Sequence, residues 1–123
     1  MHALKPADLA AKLDELWSPR VIAELDDYYV KVAKLHGEFG WHAHAEEDEL
    51  FQVLEGELCL RFRDGQVTLQ AGELYVVEKG REHNPLAQQP CTVMLVERKS
   101  TAHTGEQHSE LTRGLAEQLR PIE

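Results

Sequence analysis

Residues 49–78 read ELFQVLEGELCLRFRDGQVTLQAGELYVVE. Four extended runs are cut by Gly56, Asp64-Gly65 and Ala71-Gly72. The second run alternates strictly. Leu58, Leu60 and Phe62 fall on one side; Cys59, Arg61 and Arg63 fall on the other. This period of two marks a strand with one buried face, and Asp-Gly between two such runs marks a hairpin. Short strands at this spacing, joined by tight turns, predict an all-β sandwich or barrel.

The flanking sequence fits that frame. PADLAAKLDELW predicts a helix over about 6–17, with Leu9, Leu13, Leu16 and Trp17 at helical spacing, Pro6 in the first turn and Ser18-Pro19 as the stop. RVIAELDDYYVKVAKL is broken at Asp26-Asp27 and predicts strands over about 20–25 and 28–35. Residues 41–44 are short and extended, Lys79–Gln89 reads as a loop around Gly80 and Pro85, and CTVMLVER (91–98) is the last strand. SELTRGLAEQL (109–119) predicts a closing helix with Ser109 as its cap. No repeat or linker interrupts the chain. The expectation is one domain over 1–123, with a barrel core over about 20–100 and a tail with a short helix over about 101–123.

Composition excludes several classes of function. The chain has 123 residues, 42% apolar and 28% charged, enough to bury a core without disulfides. No apolar run is long enough to span a bilayer, and MHALKPADLA lacks the pattern of a secretory signal, so a cytoplasmic location is expected. Thirteen Lys and Arg against 22 Asp and Glu leave a formal charge of −9, a poor basis for binding a phosphate backbone. Cys59 and Cys91 form no CxxC pair and are expected as free thiols in a reducing compartment. Seven histidines are many for this length and call for an explanation.

Two of them stand in WHAHAEEDELFQVLEG (41–56). His42 and His44 are two apart, which in a strand aims both at one face. Glu49 follows five residues after His44, the wrong parity for a straight strand. The polar AEED between them reads as a turn, so Glu49 can open the next strand and face back. His83, in GREHNP, can join them if the sheet closes. Three neutral imidazoles and one carboxylate suit a divalent first-row metal with an open side. On its own, HxH is a weak motif, and exposed histidines are common.

With Glu49 and His83 added, the residues resemble the cupin superfamily. Its first motif is HxH, three or four residues, Glu, six residues, Gly, matched here by His42, His44, Glu49 and Gly56. Gly72, Gly80 and His83 match its second motif. The likeness covers about 20–100 and is similar in detail to small single-domain cupins grouped with mannose-6-phosphate isomerases. Departures are Gly37, one place late before HxH, Glu78 where the family has Pro, and Ala87 where it has Asn. The resemblance implies a double-stranded β-helix (jelly-roll) barrel, with His42, His44, Glu49 and His83 holding Fe, Mn, Zn or Ni in its mouth. It also implies a homodimer in which N-terminal strands pair with the partner's sheet. TAHTGE (101–106) is a further feature of that group, with no role attached.

Three functions follow. One is a metalloenzyme, a dioxygenase, isomerase or lyase, on a small and partly apolar substrate. A second is a small-molecule binding or sensing protein without turnover. The third is a metal-free barrel in which the four groups hydrogen-bond, ranked last because burying them without an ion is costly. Phe51, Val53, Leu58, Leu60, Phe62, Val93 and Leu95 are the expected barrel lining, with Arg61 and Arg63 outside it. Tyr75, Glu47 and His36 are the candidate general bases, and each has a plainer reading. Tyr75 fits the core, Glu47 and Asp48 fit a solvated turn, and His36 fits an exposed break. His103 and His108 are expected in solvent.

Overall fold

The computed structural model describes residues 1–105 and 109–123. The hairpins anticipated around Gly56 and Asp64-Gly65 form. β3 (Glu49–Glu55) leads through Gly56 into β4 (Glu57–Phe62), which pairs with β5 (Gly65–Gln70) in the register Phe62↔Gly65 to Glu57↔Gln70. β1 (Arg20–Leu25), β2 (Tyr28–Glu38), β6 (Leu74–Val77) and β7 (His83–Arg98) complete one antiparallel sheet, with the path β1-β2-β7-β3-β6. β7 joins the parts. Its first residues pair with β4 (Phe62↔His83, Cys59↔Leu86), and its later ones lie between β2 and β3 (Val32↔Met94, Gln52↔Met94). The sheet curls into a double-stranded β-helix, an all-β barrel.

The expected lining residues are its core. Val53, Leu58, Leu60 and Val93 are completely buried, with Phe51, Phe62 and Leu95 nearly so. Gly56 has φ +90°, and a Cβ there would come 2.7 Å from the Cβ of Cys91, so the β3–β4 turn has room only for glycine. Outside the barrel, α1 (Pro6–Ala11) and the turn after it lay Ala10 and Leu13 against Val32 of β2. This is why β2 is apolar on both faces. Both cysteines are free. Among the described residues no helix is long and apolar enough to cross a membrane.

Three expected elements differ. The helix expected over 6–17 stops at Ala11, because the backbone beyond it finds partners in the sheet. Leu16 bridges Lys34, the Trp17 N–H donates to the Lys34 carbonyl at 2.8 Å, and the Trp17 indole N–H donates to the His36 carbonyl at 2.9 Å. The loop expected over 79–89 shrinks, since β7 begins at His83. Gly80 and Pro85 suggested a loop, but a proline still accepts hydrogen bonds. Pro85 pairs with Leu60, and its carbonyl takes the Phe39 N–H at 3.0 Å. The closing helix is only α2 (Leu115–Gln118), entered from Gly114. Ser109 caps a turn instead, its Oγ accepting the Leu111 N–H at 3.1 Å.

Candidate metal centre

The backbone locks the site before any side chain acts. His42 and His83 form a two-bond bridge, N–H to carbonyl at 3.0 Å one way and 2.9 Å the other. The Gly80 N–H donates to the His44 carbonyl at 2.7 Å. The polar AEED segment is the expected turn, and Asp48 ties it down by accepting the Lys79 N–H at 2.8 Å. Glu78, in place of the motif proline, is exposed and leaves the turn intact, its carbonyl accepting the Arg81 N–H at 3.2 Å. One residue past His83, buried Asn84 accepts the Gly40 N–H at 2.8 Å and donates to Glu38 at 2.7 Å, fixing the approach to His42.

This frame brings all four candidate ligands together. One ligand atom from each of His42, His44, Glu49 and His83 lies within 4.8 Å of the others, and all four residues are buried. Two tautomers can be deduced. His42 Nδ1 is 3.1 Å from the Gly40 carbonyl and His83 Nδ1 is 3.0 Å from the Arg81 carbonyl. A carbonyl only accepts, so each Nδ1 carries the hydrogen and each Nε2 presents a lone pair. His83 Nε2 and His44 Nε2 stand 3.4 and 3.7 Å from Glu49 Oε1, and none of these three atoms has a hydrogen-bond partner among the described residues. Burial, then the neighbouring His83, lowers the His42 pKa to about 3. Burial also lowers His44 and His83. The bare Nε2 atoms of His42 and His83 converge with Glu49 and with a His44 ring that has no hydrogen-bond partner on either nitrogen among the described residues. An unsatisfied buried polar cluster of this kind is costly, and a divalent cation would satisfy it.

Behind the four lies a layer that the sequence reading missed. Glu97 faces Glu49 across the β3–β7 ladder, and Lys31 donates to Glu97 at 2.6 Å and to Gln118 at 2.6 Å, all buried. Burial first, then Glu49, pushes Glu97 up to about 8, and burial raises Glu49 as well, so the facing carboxyls favour sharing a proton between them. The signal was present. Lys31 shares parity with Ala33 and Leu35, and Glu97 with Val93 and Leu95.

Other expectations divide. His36 is exposed, and Arg61 and Arg63 point outward to Glu38 (3.1 Å) and Glu82 (3.2 Å). Tyr75 packs on Phe62 and accepts from Arg81 at 2.7 Å, away from the four. Glu47 is half-buried and accepts from Ser100 at 3.2 Å. His103 is not in solvent. It is half-buried, lowered to about 4 by burial, and lines a cavity of about 30 Å³ with His42 and Glu49. Its position follows from tertiary contacts of the tail, which no local pattern encodes. Of the expected lining residues, Phe51, Val93 and Leu95 reach this cavity, joined by Trp17 and Phe39, while Val53, Leu58, Leu60 and Phe62 are packed core. His108 lies outside the described residues.

Fold and site together define a small antiparallel barrel whose mouth gathers three histidines and a glutamate able to hold a metal. The chain belongs to the cupin family, matching the cupin domain over residues 28–97. It is similar to a cupin-2 domain protein of Shewanella frigidimarina, with 49% identity, TM-score 0.76, and 78% of this chain and 94% of that one covered. A second solved structure, protein NMB1881 of Neisseria meningitidis, is 29% identical with TM-score 0.72, covering 80% of this chain and all of that one. The uncharacterized protein YdbB of Bacillus subtilis is 38% identical over 79 residues, 63% of this chain and 70% of its own length.

Proposed function

We propose that this cupin holds one divalent transition metal ion, Fe, Mn, Zn or Ni, through His42, His44, Glu49 and His83. With it the protein acts as a dioxygenase, isomerase or lyase on a small, partly apolar substrate. One observation carries the reading: His44 Nε2, His83 Nε2 and Glu49 Oε1 are buried, mutually close and without hydrogen-bond partners. When bound, the ion supplies Lewis acidity toward a substrate oxygen. The protein's own part is to keep three imidazoles neutral, to hold Glu49 in place through Glu97, and to exclude water with Trp17, Phe39 and Phe51. Binding without turnover has one point in its favour. Among the described residues the cavity offers no ionisable side chain beyond the ligands and His103.

Elemental analysis of protein purified without chelator or His-tag tests the ligand set. About one ion per chain is expected, and His44→Ala should remove most of it. Equal metal in wild type and variant would refute the set. We also propose a homodimer through β1, which ends the sheet path and leaves Leu25 61% exposed. Light scattering at micromolar concentration should give twice the chain mass; a monomer would end that proposal.

A further inference from the structure

The cavity beside His42 and Glu49 has in its wall a residue whose backbone its type avoids. Trp17 has φ +55°, in the left-handed region that a bulky side chain rarely enters. Its neighbours hold it there. The Trp17 N–H donates to the Lys34 carbonyl at 2.8 Å, the indole N–H donates to the His36 carbonyl at 2.9 Å, and the preceding Leu16 bridges Lys34. The ring is turned inward against Phe39, 4.9 Å between centroids, and Trp17 is 6% exposed. Strain of this kind persists only where the surroundings over-determine it, and it collects at functional sites.

What the ring does there is take up room. Trp17 and Phe39 line the cavity together with His42 and Glu49, two of the four candidate ligands. The volume of about 30 Å³ is roughly that of two water sites. Other walls are fixed by the barrel or the tail. Phe51 and Leu95 are paired across β3 and β7, and His103 accepts the Arg113 backbone N–H on Nδ1 at 2.9 Å. Trp17 comes instead from the connection between α1 and β1, and it carries the largest side chain on the wall.

We propose that Trp17 sets the specificity of this site by size, limiting what reaches the ion to a molecule of about two or three heavy atoms. A larger molecule has to displace the ring and break both of its hydrogen bonds. The proposal rests on the metal reading and narrows the substrate given there, and its test separates the two.

Protein loaded with Co²⁺ is titrated with azide, three atoms in a line, and in parallel with imidazole, a five-membered ring, following the visible bands of the ion. The same is done for Trp17→Leu, which shortens the wall, and for Trp17→Gly, which removes it and accepts φ +55° without strain. All three proteins should carry equal Co²⁺, since Trp17 is not a candidate ligand. Imidazole should bind Trp17→Gly about tenfold or more tightly than wild type, with Trp17→Leu between them, because extra volume is no longer forced into a packed site. Azide should bind all three within about threefold, since it already fits. A Trp17 that only supports the fold would change stability and leave the ratio of azide to imidazole affinity where it was. A second measurement needs no ion. Added indole should raise the thermal midpoint of metal-free Trp17→Gly by filling the space the ring left, and should leave wild type unchanged. Trp17→Leu keeps an apolar side chain and carries the titration should Trp17→Gly not fold. An unchanged affinity ratio in the folded variants, no azide binding in wild type, or a folded Trp17→Gly that indole does not stabilise would each overturn the proposal. Wild-type protein that takes up little Co²⁺, with the indole effect intact, would refute the metal reading, and the size selection with it.

Discussion

Two interiors of this barrel are equally dry and differently made. Around Leu58, Leu60, Val53 and Val93, burial is complete and every atom is satisfied by contact alone. Around His42, His44, Glu49 and His83, burial is almost as deep, yet His44, Glu49 and His83 each keep a buried polar atom with no hydrogen-bond partner among the described residues. The first region lowers the free energy of the metal-free chain; the second raises it. The difference teaches that the mouth is held by its backbone bridges and by the packed interior beneath it, at a stability cost that an ion would offset.

The sharpest way to break the comparison is to exchange the injuries. His83→Ala should drop metal content from about one ion per chain to almost none and leave the metal-free fold standing, measured by elemental analysis and circular dichroism. Leu60→Ala should do the reverse. It should cost about 2–5 kcal/mol in urea unfolding, as large-to-small core changes do, and keep its metal. A Leu60→Ala protein that folds with its full stability would mean that the interior is not close-packed there.

A somewhat smaller effect is expected at the boundary between the two regions. Lys31→Met leaves the buried Glu97 without its hydrogen-bond donor and should cost about 1–3 kcal/mol. Adding Glu97→Gln removes the stranded acid and should recover part of the loss; a double variant no better than the single would deny that the two are coupled.

The smallest effect is in the pH profile of the metal-free protein. His42 and His103 have folded pKa values of about 3 and about 4 against 6.5 when free. The unfolded chain therefore binds more protons below pH 6.5, and stability should fall as pH drops from there. Glu97 works the other way. Its pKa of about 8, raised from 4.5, gives stability that is present at low pH and lost as pH rises toward 8. Thermal midpoints should peak near pH 6.5. Leu60→Ala should lower the whole curve without moving the peak, whereas Glu97→Gln should flatten its alkaline side.

Much of the fold was legible because strands announce themselves locally. The alternation in ELCLRFR and the turns at Gly56 and Asp64-Gly65 gave the β3–β4–β5 meander, and parity separated buried Leu60 from outward Arg61. The clustering of the four candidate ligands was legible once the AEED turn and the closure of the sheet were granted. What was hidden depended on distant partners. The Lys34 carbonyl draws Trp17 out of a helix, β4 makes a strand of the residues around Pro85, and the Arg113 N–H fixes His103. Lys31 and Glu97 are a different case, since their parity was readable but their charge argued for solvent.

One strand has a consequence for how the mouth can move. β7 carries His83 at its first residue and Glu97 near its last, and both reach Glu49. Fourteen residue steps of straight strand would span about 46 Å, so β7 must bend back on itself to return to one carboxylate. The strand acts as a closed clasp, with no hinge between the two sides of the mouth. Amide exchange at His83 and at Glu97 should report a single shared opening event.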